Sequence, residues 1–169
     1  MPGEVTAVVR EKLIAAMERV FQGEKHYIEH TAAVLDFAQQ IHHVEGGDPV
    51  IIEAAAILHD IGIPAAIEKH GSAAGPYQEL EGPPIARSIL EDAAVPPSVI
   101  ETVCAIIGAH HSGDLDTREF RVVWDADWLV NFPDIHGNAS RDAQAEAIDA
   151  TFRTDAGKTL AHRLFLEAA

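Results

Sequence analysis

The segment VIIEAAAILHD, from Val50 to about Asp60, is the feature that most constrains the fold. It is apolar nearly all round, and a helix of that kind has to be buried on every side. The sequence therefore predicts a central helix surrounded by others. The segment ends in the pair His59 and Asp60, just before Gly62 and Pro64, so two ionisable side chains are predicted at the end of a buried helix.

The other segments also favour helices. Their apolar residues recur at spacings of three and four, and no strand pattern or repeat is present. The stretch FRVVW could form a strand, but it continues into DADWLV without a turn signal, so we predict helix there. We therefore expect an all-α bundle of about seven or eight helices. Their approximate bounds are 5–21, 25–44, 50–60, 83–93, 96–111, 118–130, 139–152 and 155–167.

Residues 65–82, with the sequence AAIEKHGSAAGPYQELEG, contain glycines, a proline and several small residues. This composition is typical of a long functional loop or a short broken helix. We predict that the segment forms a lid over a substrate. Pro83 and Pro84 suit the first turn of the next helix, and the later tract FPDIHGN is predicted to end the 118–130 helix.

Length and charge limit the class of protein. A chain of 169 residues, 47% of them apolar, matches one domain spanning residues 1–169. The formal net charge of −15 would repel a polyanion, so we do not expect duplex nucleic acid as a partner. No apolar run approaches the roughly 20 residues of a membrane span, and we expect a cytoplasmic protein without a membrane partner. The single cysteine, Cys104, is expected to be buried and inert.

Three of the predicted helices place ionisable side chains on apolar faces. His30 lies on the apolar stripe of the second helix, His59 and Asp60 end the third, and Asp127 lies among apolar residues of the sixth. Burial of an unpaired acid costs several kcal/mol unless the acid is paired or binds a cation. Two imidazoles and two carboxylates suit Zn, Fe, Mn, Co or Ni better than Ca, while Mg usually prefers oxygen alone.

The order of these residues resembles the HD superfamily of metal-dependent phosphohydrolases. The resemblance is carried by His30, then His59 and Asp60 in AAAILHDIG, then Asp127 in DADWLVN. The tracts GSAAGPYQELEGPPIARSIL, IIGAHHS and WDADWLVNF are similar to a subgroup of small, stand-alone HD proteins. The resemblance implies a helical HD domain with its core at about 24–132, helices 139–167 packed on it, and four ligands to one metal ion. It also implies cleavage of phosphomonoesters or phosphodiesters, often of nucleotides.

Two aspartates in DADWLVN compete for the last ligand position. The family pattern places the ligand directly before a hydrophobic or basic pair, which implies Asp127 rather than Asp125. Two positions on a helix differ by about 200°, so both carboxylates cannot bind one ion without distortion. Asp125 is then expected either to support a metal ligand or to act as a surface cap.

The chain departs from the family in its candidate substrate contacts. Many members continue HDIG with a lysine that contacts phosphate, whereas this chain has HDIGIP. Other side chains would have to take that role, although two of them, Lys69 and His70, equally suit a solvent-exposed loop. The candidate substrate-binding residues are Lys69, His70, Glu81 and Arg87.

Additional histidines leave the number of metal ions open. In dinuclear relatives further histidines bind a second ion; His110 and His111 match a later pair, and Glu81 or Gln78 falls near an earlier position. One ion is expected, with two as the alternative. With one ion, Asp60 would orient the attacking water, and His110 or His111 would protonate the leaving oxygen or contact the phosphate. The histidine pair could instead only stabilise a helix end through the dipole.

The sequence therefore favours a hydrolase acting on a small phosphorylated substrate, with a nucleotide as one candidate. Two other functions stay open. One is oxidation of a small molecule at an HD-type di-iron site, and the other is a catalytically silent module that binds a metal or ligand and regulates a partner. A homodimer is a further expectation that the sequence does not decide.

Overall fold

The computed structural model describes residues 2–167, and the side chains of residues 6–167. This part of the chain is all-α and contains no strand, which confirms the predicted fold class. The helices are α1 Pro2–Phe21, α2 Lys25–Glu45, α3 Pro49–Leu58, α4 Ile63–His70, α5 Gly75–Asp92, α6 Pro97–Ile107, α7 Arg118–His136, α8 Arg141–Thr151 and α9 Asp155–Ala161, followed by a π-helical turn at His162–Glu167.

Helix α3 is the centre of the bundle, as its all-round apolar sequence predicts. Its side chains are buried from Ile52 onward, and it contacts α1, α2, α6 and α7. The helix begins at Pro49, where the side chain of Asp48 accepts hydrogen bonds from the backbone N–H groups of Val50 and Ile51. Helix α2 packs along both α3 and α7. These contacts bring the candidate metal-binding histidines and aspartates close together at the junction of α2, α3 and α7.

The long loop predicted at 65–82 is wrong, whereas the alternative of a broken helix agrees with the structure. Helices α4 and α5 occupy most of it, and only residues 71–74 connect them. The small residues serve close packing: a Cβ on Gly62 would lie 2.6 Å from the backbone nitrogen of Gly82. Pro76 occupies the first turn of α5, whereas Pro83 and Pro84 lie inside the helix. Glycine and proline favour loops in an isolated segment, but here the glycines lie where two helices touch.

Two helix ends also differ from the prediction. Helix α6 ends at Ile107, so His110 and His111 lie in the following turn instead of the helix. Helix α7 continues through Pro133 and ends at His136, where the N–H of Gly137 bonds back to the carbonyl of Pro133. A proline removes only one N–H donor and can be accommodated near a helix end.

One stretch of the described residues, Pro49–His70, has the length and mean hydropathy (1.8) of a membrane span. The prediction that no apolar run approaches this length is therefore corrected. In the structure the stretch is divided between α3 and α4, and 67% of its most apolar window is buried. Burial inside the bundle accounts for its apolar character.

Candidate metal centre

Four side chains converge where α2, α3 and α7 meet. His30 Nε2 lies 3.3 Å from His59 Nε2 and 3.1 Å from Asp127 Oδ1. Asp60 Oδ2 lies 3.2 Å from His59 Nε2 and 3.4 Å from His30 Nε2, and Asp127 Oδ1 lies 3.4 Å from His59 Nε2. Ligand atoms bonded to one ion at about 2.1 Å are about 3.0–3.4 Å apart in octahedral or tetrahedral geometry. The spacing of these atoms therefore fits a shared cation.

The ring of His59 is held in the orientation that a metal ligand requires. Its Nδ1 lies 2.7 Å from the carbonyl oxygen of Ala56. A carbonyl only accepts hydrogen bonds, so Nδ1 carries the proton and donates it. The lone pair of Nε2 then faces the four-residue cluster. The side chain is fully buried, and the last turn of α3 thus fixes both the position and the tautomer of this candidate ligand.

Charge in the cluster is arranged to hold a cation. Burial alone would lower the pKa of His59, but the carboxylates of Asp60 and Asp127 reverse that effect and raise it well above its ordinary value. Burial likewise raises the pKa of both carboxyl groups, yet the facing histidines hold the pKa of Asp60 and of Asp127 well below the usual range. Two ionised acids therefore share one buried space, which a proton or a metal ion has to neutralise.

Asp60 also faces a second cluster. Its Oδ1 lies 3.4 Å from His110 Nε2. His110 Nδ1 donates to the carbonyl of Ile107 at 2.7 Å, and its Nε2 is buried without a hydrogen-bond partner. Asp60, His110 and His111 each offer a ligand atom within 4.8 Å of the others. The two oxygens of Asp60 thus face two different groups of candidate ligands.

The buried side-chain amide of Gln78 lies on the face of α5 that is turned toward this second cluster. Gln78 donates from Nε2 to the carbonyl of Ala73 at 2.8 Å, while its Oε1 is buried and has no partner. Gly75 and Gly82 occupy the same face of α5 at helical spacing, and Cβ atoms there would meet His111 and Ile107 respectively. This face of α5 is therefore turned toward the end of α6 and the turn that carries the histidine pair. An unpaired buried acceptor calls for a missing partner such as water or an ion.

Three of the four candidate substrate residues are brought together by α4 and α5. Glu81 accepts from Lys69 Nζ at 2.6 Å and lies 2.9 Å from His70 Nε2. The ring of His70 stacks on Tyr77, with centroids 4.4 Å apart and planes 4° apart. Arg87 is separate from this group, because it donates to Glu101 of α6 at 2.7 Å.

Asp125 is neither a surface cap nor a support for a metal ligand. It is completely buried and accepts hydrogen bonds from Arg153 N at 2.8 Å, Thr154 N at 2.8 Å and Thr154 Oγ1 at 2.6 Å. Burial raises its pKa to about 6 against the effect of these donors. The residue thus anchors the segment between α8 and α9, and the expectation for it was wrong.

Asn131 contacts a candidate metal ligand and was not predicted from the sequence. Its Nδ2 donates to Asp127 Oδ1 at 3.0 Å. The signal was present, because residues four apart share a helix face. Cys104 is buried as expected, and burial raises the pKa of its thiol.

Comparison with known protein families agrees with this geometry. The model of the HD domain matches residues 27–131, a range that includes the four converging side chains and covers more than half of the chain. No curated protein and no solved structure matches the chain. The fold, the convergence of the cluster and the family match lead to one conclusion: the chain belongs to the HD domain family.

Proposed function

We propose that this protein is a metal-dependent phosphohydrolase that cleaves a phosphomonoester or phosphodiester of a nucleotide or another small molecule. The observation that carries the proposal is the approach of His30, His59, Asp60 and Asp127 to within 3.1–3.4 Å at their ligand atoms. These residues fit Mn, Fe, Co, Ni or Zn by their mixed nitrogen and oxygen donors. A bound divalent ion would polarise a phosphoryl oxygen and supply an attacking water of lowered pKa.

Asp60 is the residue proposed to orient the attacking water. Its carboxylate is contacted from both sides, by His30 and His59 at Oδ2 and by His110 at Oδ1. The pKa of Asp60 is held low by His59 and His110 despite burial, so the group stays ionised. An ionised, fixed carboxylate accepts a hydrogen bond from water in one defined direction.

His110 is the better of the two histidines to protonate a leaving oxygen. Its Nδ1 is already committed to the carbonyl of Ile107, which leaves Nε2, 3.4 Å from Asp60 Oδ1, for proton transfer. Burial and the neighbouring His110 lower the pKa of His111. His111 therefore stays neutral and suits a hydrogen bond to the substrate more than the donation of a proton.

We assign substrate contact to Lys69, His70 and Glu81, which lie together where α4 and α5 meet. Both oxygens of Glu81 are engaged by Lys69 and His70, so a phosphate that contacts Lys69 has to compete with Glu81. Removal of Lys69 should raise KM and leave kcat nearly unchanged, because the bound substrate and the transition state lose the same binding energy. Arg87 would have to leave Glu101 before it could contact a substrate.

A dinuclear centre is the alternative, and the unpaired His110 Nε2 and Gln78 Oε1 favour it. In that case Asp60 and His110 would hold the second ion, and His110 would be a ligand instead of an acid. The same arrangement supports a second candidate function, oxidation of a small molecule at a di-iron site. Two iron ions per chain with oxygen uptake would favour the oxidase, and one or two other divalent ions with phosphate release would favour the hydrolase.

The test combines elemental analysis with a screen of phosphatase and phosphodiesterase substrates, with and without Mn, Co, Ni and Mg. Asp127→Asn should lose both metal and phosphate release. Asp134→Asn is the matched control, because Asp134 is an exposed carboxylate on the same helix. Wild-type protein that binds metal yet hydrolyses no substrate class would favour a silent regulatory module. Activity that survives in Asp127→Asn would overturn the proposed centre.

A further inference from the structure

Asn131 of α7 contacts the candidate metal centre through one of its acidic side chains. Its Nδ2 donates a hydrogen bond to Asp127 Oδ1 at 3.0 Å, one helical turn away. A carboxylate only accepts hydrogen bonds, so the amide nitrogen, and not the amide oxygen, has to face it. The contact is partly buried, because Asp127 lies where α7 packs on α2 and α3. The amide therefore restricts the direction in which the Asp127 carboxylate can turn.

The other contacts of the same oxygen are with candidate ligands. Asp127 Oδ1 lies 3.1 Å from His30 Nε2 and 3.4 Å from His59 Nε2. A histidine binds a metal through the lone pair of an unprotonated ring nitrogen, so neither Nε2 could donate a hydrogen bond to Asp127 while it binds an ion. Among the contacts of Asp127 in the described residues, the amide nitrogen of Asn131 is the one donor that a bound ion would not engage.

Helix formation does not explain an asparagine at this position. Asn131 lies in the interior of α7, and asparagine forms helices less well than leucine or glutamine. In the described part of the chain its side chain makes one hydrogen bond, to Asp127. This contact is therefore what distinguishes the amide from an apolar side chain of the same size.

A second pair in the chain has the same hydrogen bond far from any candidate ligand set. Gln40 Nε2 donates to Asp36 Oδ2 at 2.9 Å on the exposed surface of α2, again one turn apart. Neither residue belongs to the two groups of candidate ligands. The pair shows that a glutamine four residues after an aspartate reaches its carboxylate. It therefore provides both a control for Asn131 and the design of a variant that restores the donor.

We propose that Asn131 is a positioning residue for the metal centre: its amide holds the Asp127 carboxylate in the orientation that binds the ion. The inference rests on the proposed metal centre and adds to it a residue that is not itself a ligand. Hydrogen-bond partners of metal ligands typically change metal affinity by about 10- to 100-fold when they are removed. The effect is therefore expected in the affinity for metal more than in the stability of the metal-free protein.

Cobalt titrations of the chelator-treated full chain test the proposal, because the visible absorption of bound Co reports on its ligands. Asn131→Leu keeps the approximate size of the side chain but removes the donor, and its Kd for Co should be about 10- to 100-fold higher than that of wild type. Asn131→Gln restores a donor, so both Kd and the absorption spectrum should return to near the wild-type values. Gln40→Leu removes the matched hydrogen bond on α2 and should bind Co as wild type does.

Thermal melts of the metal-free variants separate positioning from folding. Leucine is a better helix former than asparagine, so Tm of metal-free Asn131→Leu should fall by no more than about 6 °C, the effect of one lost hydrogen bond. An unchanged Kd for Co in Asn131→Leu would overturn the proposal. A Kd in Asn131→Gln as high as that of a weakened Asn131→Leu would also overturn it, because the donor would then not matter.

Asp127→Asn distinguishes this failure from failure of the centre itself. If Asp127→Asn loses Co binding while Asn131→Leu keeps it in full, the centre stands and the role proposed for Asn131 is wrong. If wild type binds no Co, or if Asp127→Asn binds it as tightly as wild type, both the centre and the positioning role are wrong.

Discussion

Asp125 and Asp127 lie two residues apart on α7, and their carboxylates belong to separate networks. Asp127 Oδ1 lies 3.1 Å from His30 Nε2 in the metal-type cluster. Asp125 instead accepts hydrogen bonds from the backbone N–H groups of Arg153 and Thr154. Because two positions on a helix differ by about 200°, α7 contributes to the candidate metal centre on one side and holds the C-terminal helices on the other.

We predict that Asp125→Asn destabilises the fold without changing metal stoichiometry. Both carboxylate oxygens of Asp125 accept from donors of the 153–154 segment, and an amide can accept at only one of its two positions. The expected loss is about 1–3 kcal/mol in the free energy of unfolding, measured by urea denaturation. Elemental analysis of the folded variant should match wild type; loss of metal with unchanged stability would contradict the separation of the two networks.

Metal should stabilise the fold, because its candidate ligands come from α2, α7 and the end of α3. At a free metal concentration 100 times Kd, the gain is about 2.7 kcal/mol, which corresponds to roughly 5–11 °C in Tm for a chain of this size. Differential scanning calorimetry of chelator-treated protein, before and after Mn or Co is added back, measures the shift. Asp127→Asn should show almost none, and an equal shift in that variant would place the stabilising ion elsewhere.

The metal-free protein should lose stability as pH rises into the alkaline range. The pKa of His59 is raised by Asp60 and Asp127 against the effect of burial, so its protonated form stabilises the fold fully below its ordinary pKa of about 6.5. That contribution disappears as pH increases through the raised value, which leaves two carboxylates without a facing charge. Added metal should remove the loss. Thermal melts from pH 6 to 10, with and without metal, test this, and a flat metal-free profile would count against it.

Metal binding should release protons for the same reason, since the ion replaces the proton on His59. Titration calorimetry in two buffers of different ionisation enthalpy would detect the release as different observed heats. His59→Ala should abolish the difference between buffers along with the binding.

Gly62→Ala should disrupt the junction of α4 and α5. The added Cβ would lie 2.6 Å from the backbone nitrogen of Gly82, and backbone atoms cannot turn away as a flexible side chain can. Overpacking of this kind costs about 1–3 kcal/mol or more. Gly108→Ala is the matched control, because its Cβ would meet nothing closer than 3.4 Å. Similar urea midpoints for the two variants would refute the proposed close approach.

The sequence predicted those parts of the fold that depend on local pattern. The all-round apolar character of α3 required burial, and the structure confirms its central place. The long loop at 65–82 was predicted wrongly because glycine and proline also occur within and between packed helices. At Gly62 and Gly82 the missing side chains allow two helices to touch, and that use is visible only when both helices are in place.

The chemistry of the candidate site was already present in the sequence: two imidazoles and two carboxylates at helical positions that have to be buried. What only the tertiary structure decided is the direction of each group. That Asp60 faces both His59 and His110, and that Asp125 turns toward Thr154, depends on helices far apart in the chain. Helical periodicity determines which face a residue occupies, whereas the partner on that face is chosen by the packing of the whole bundle.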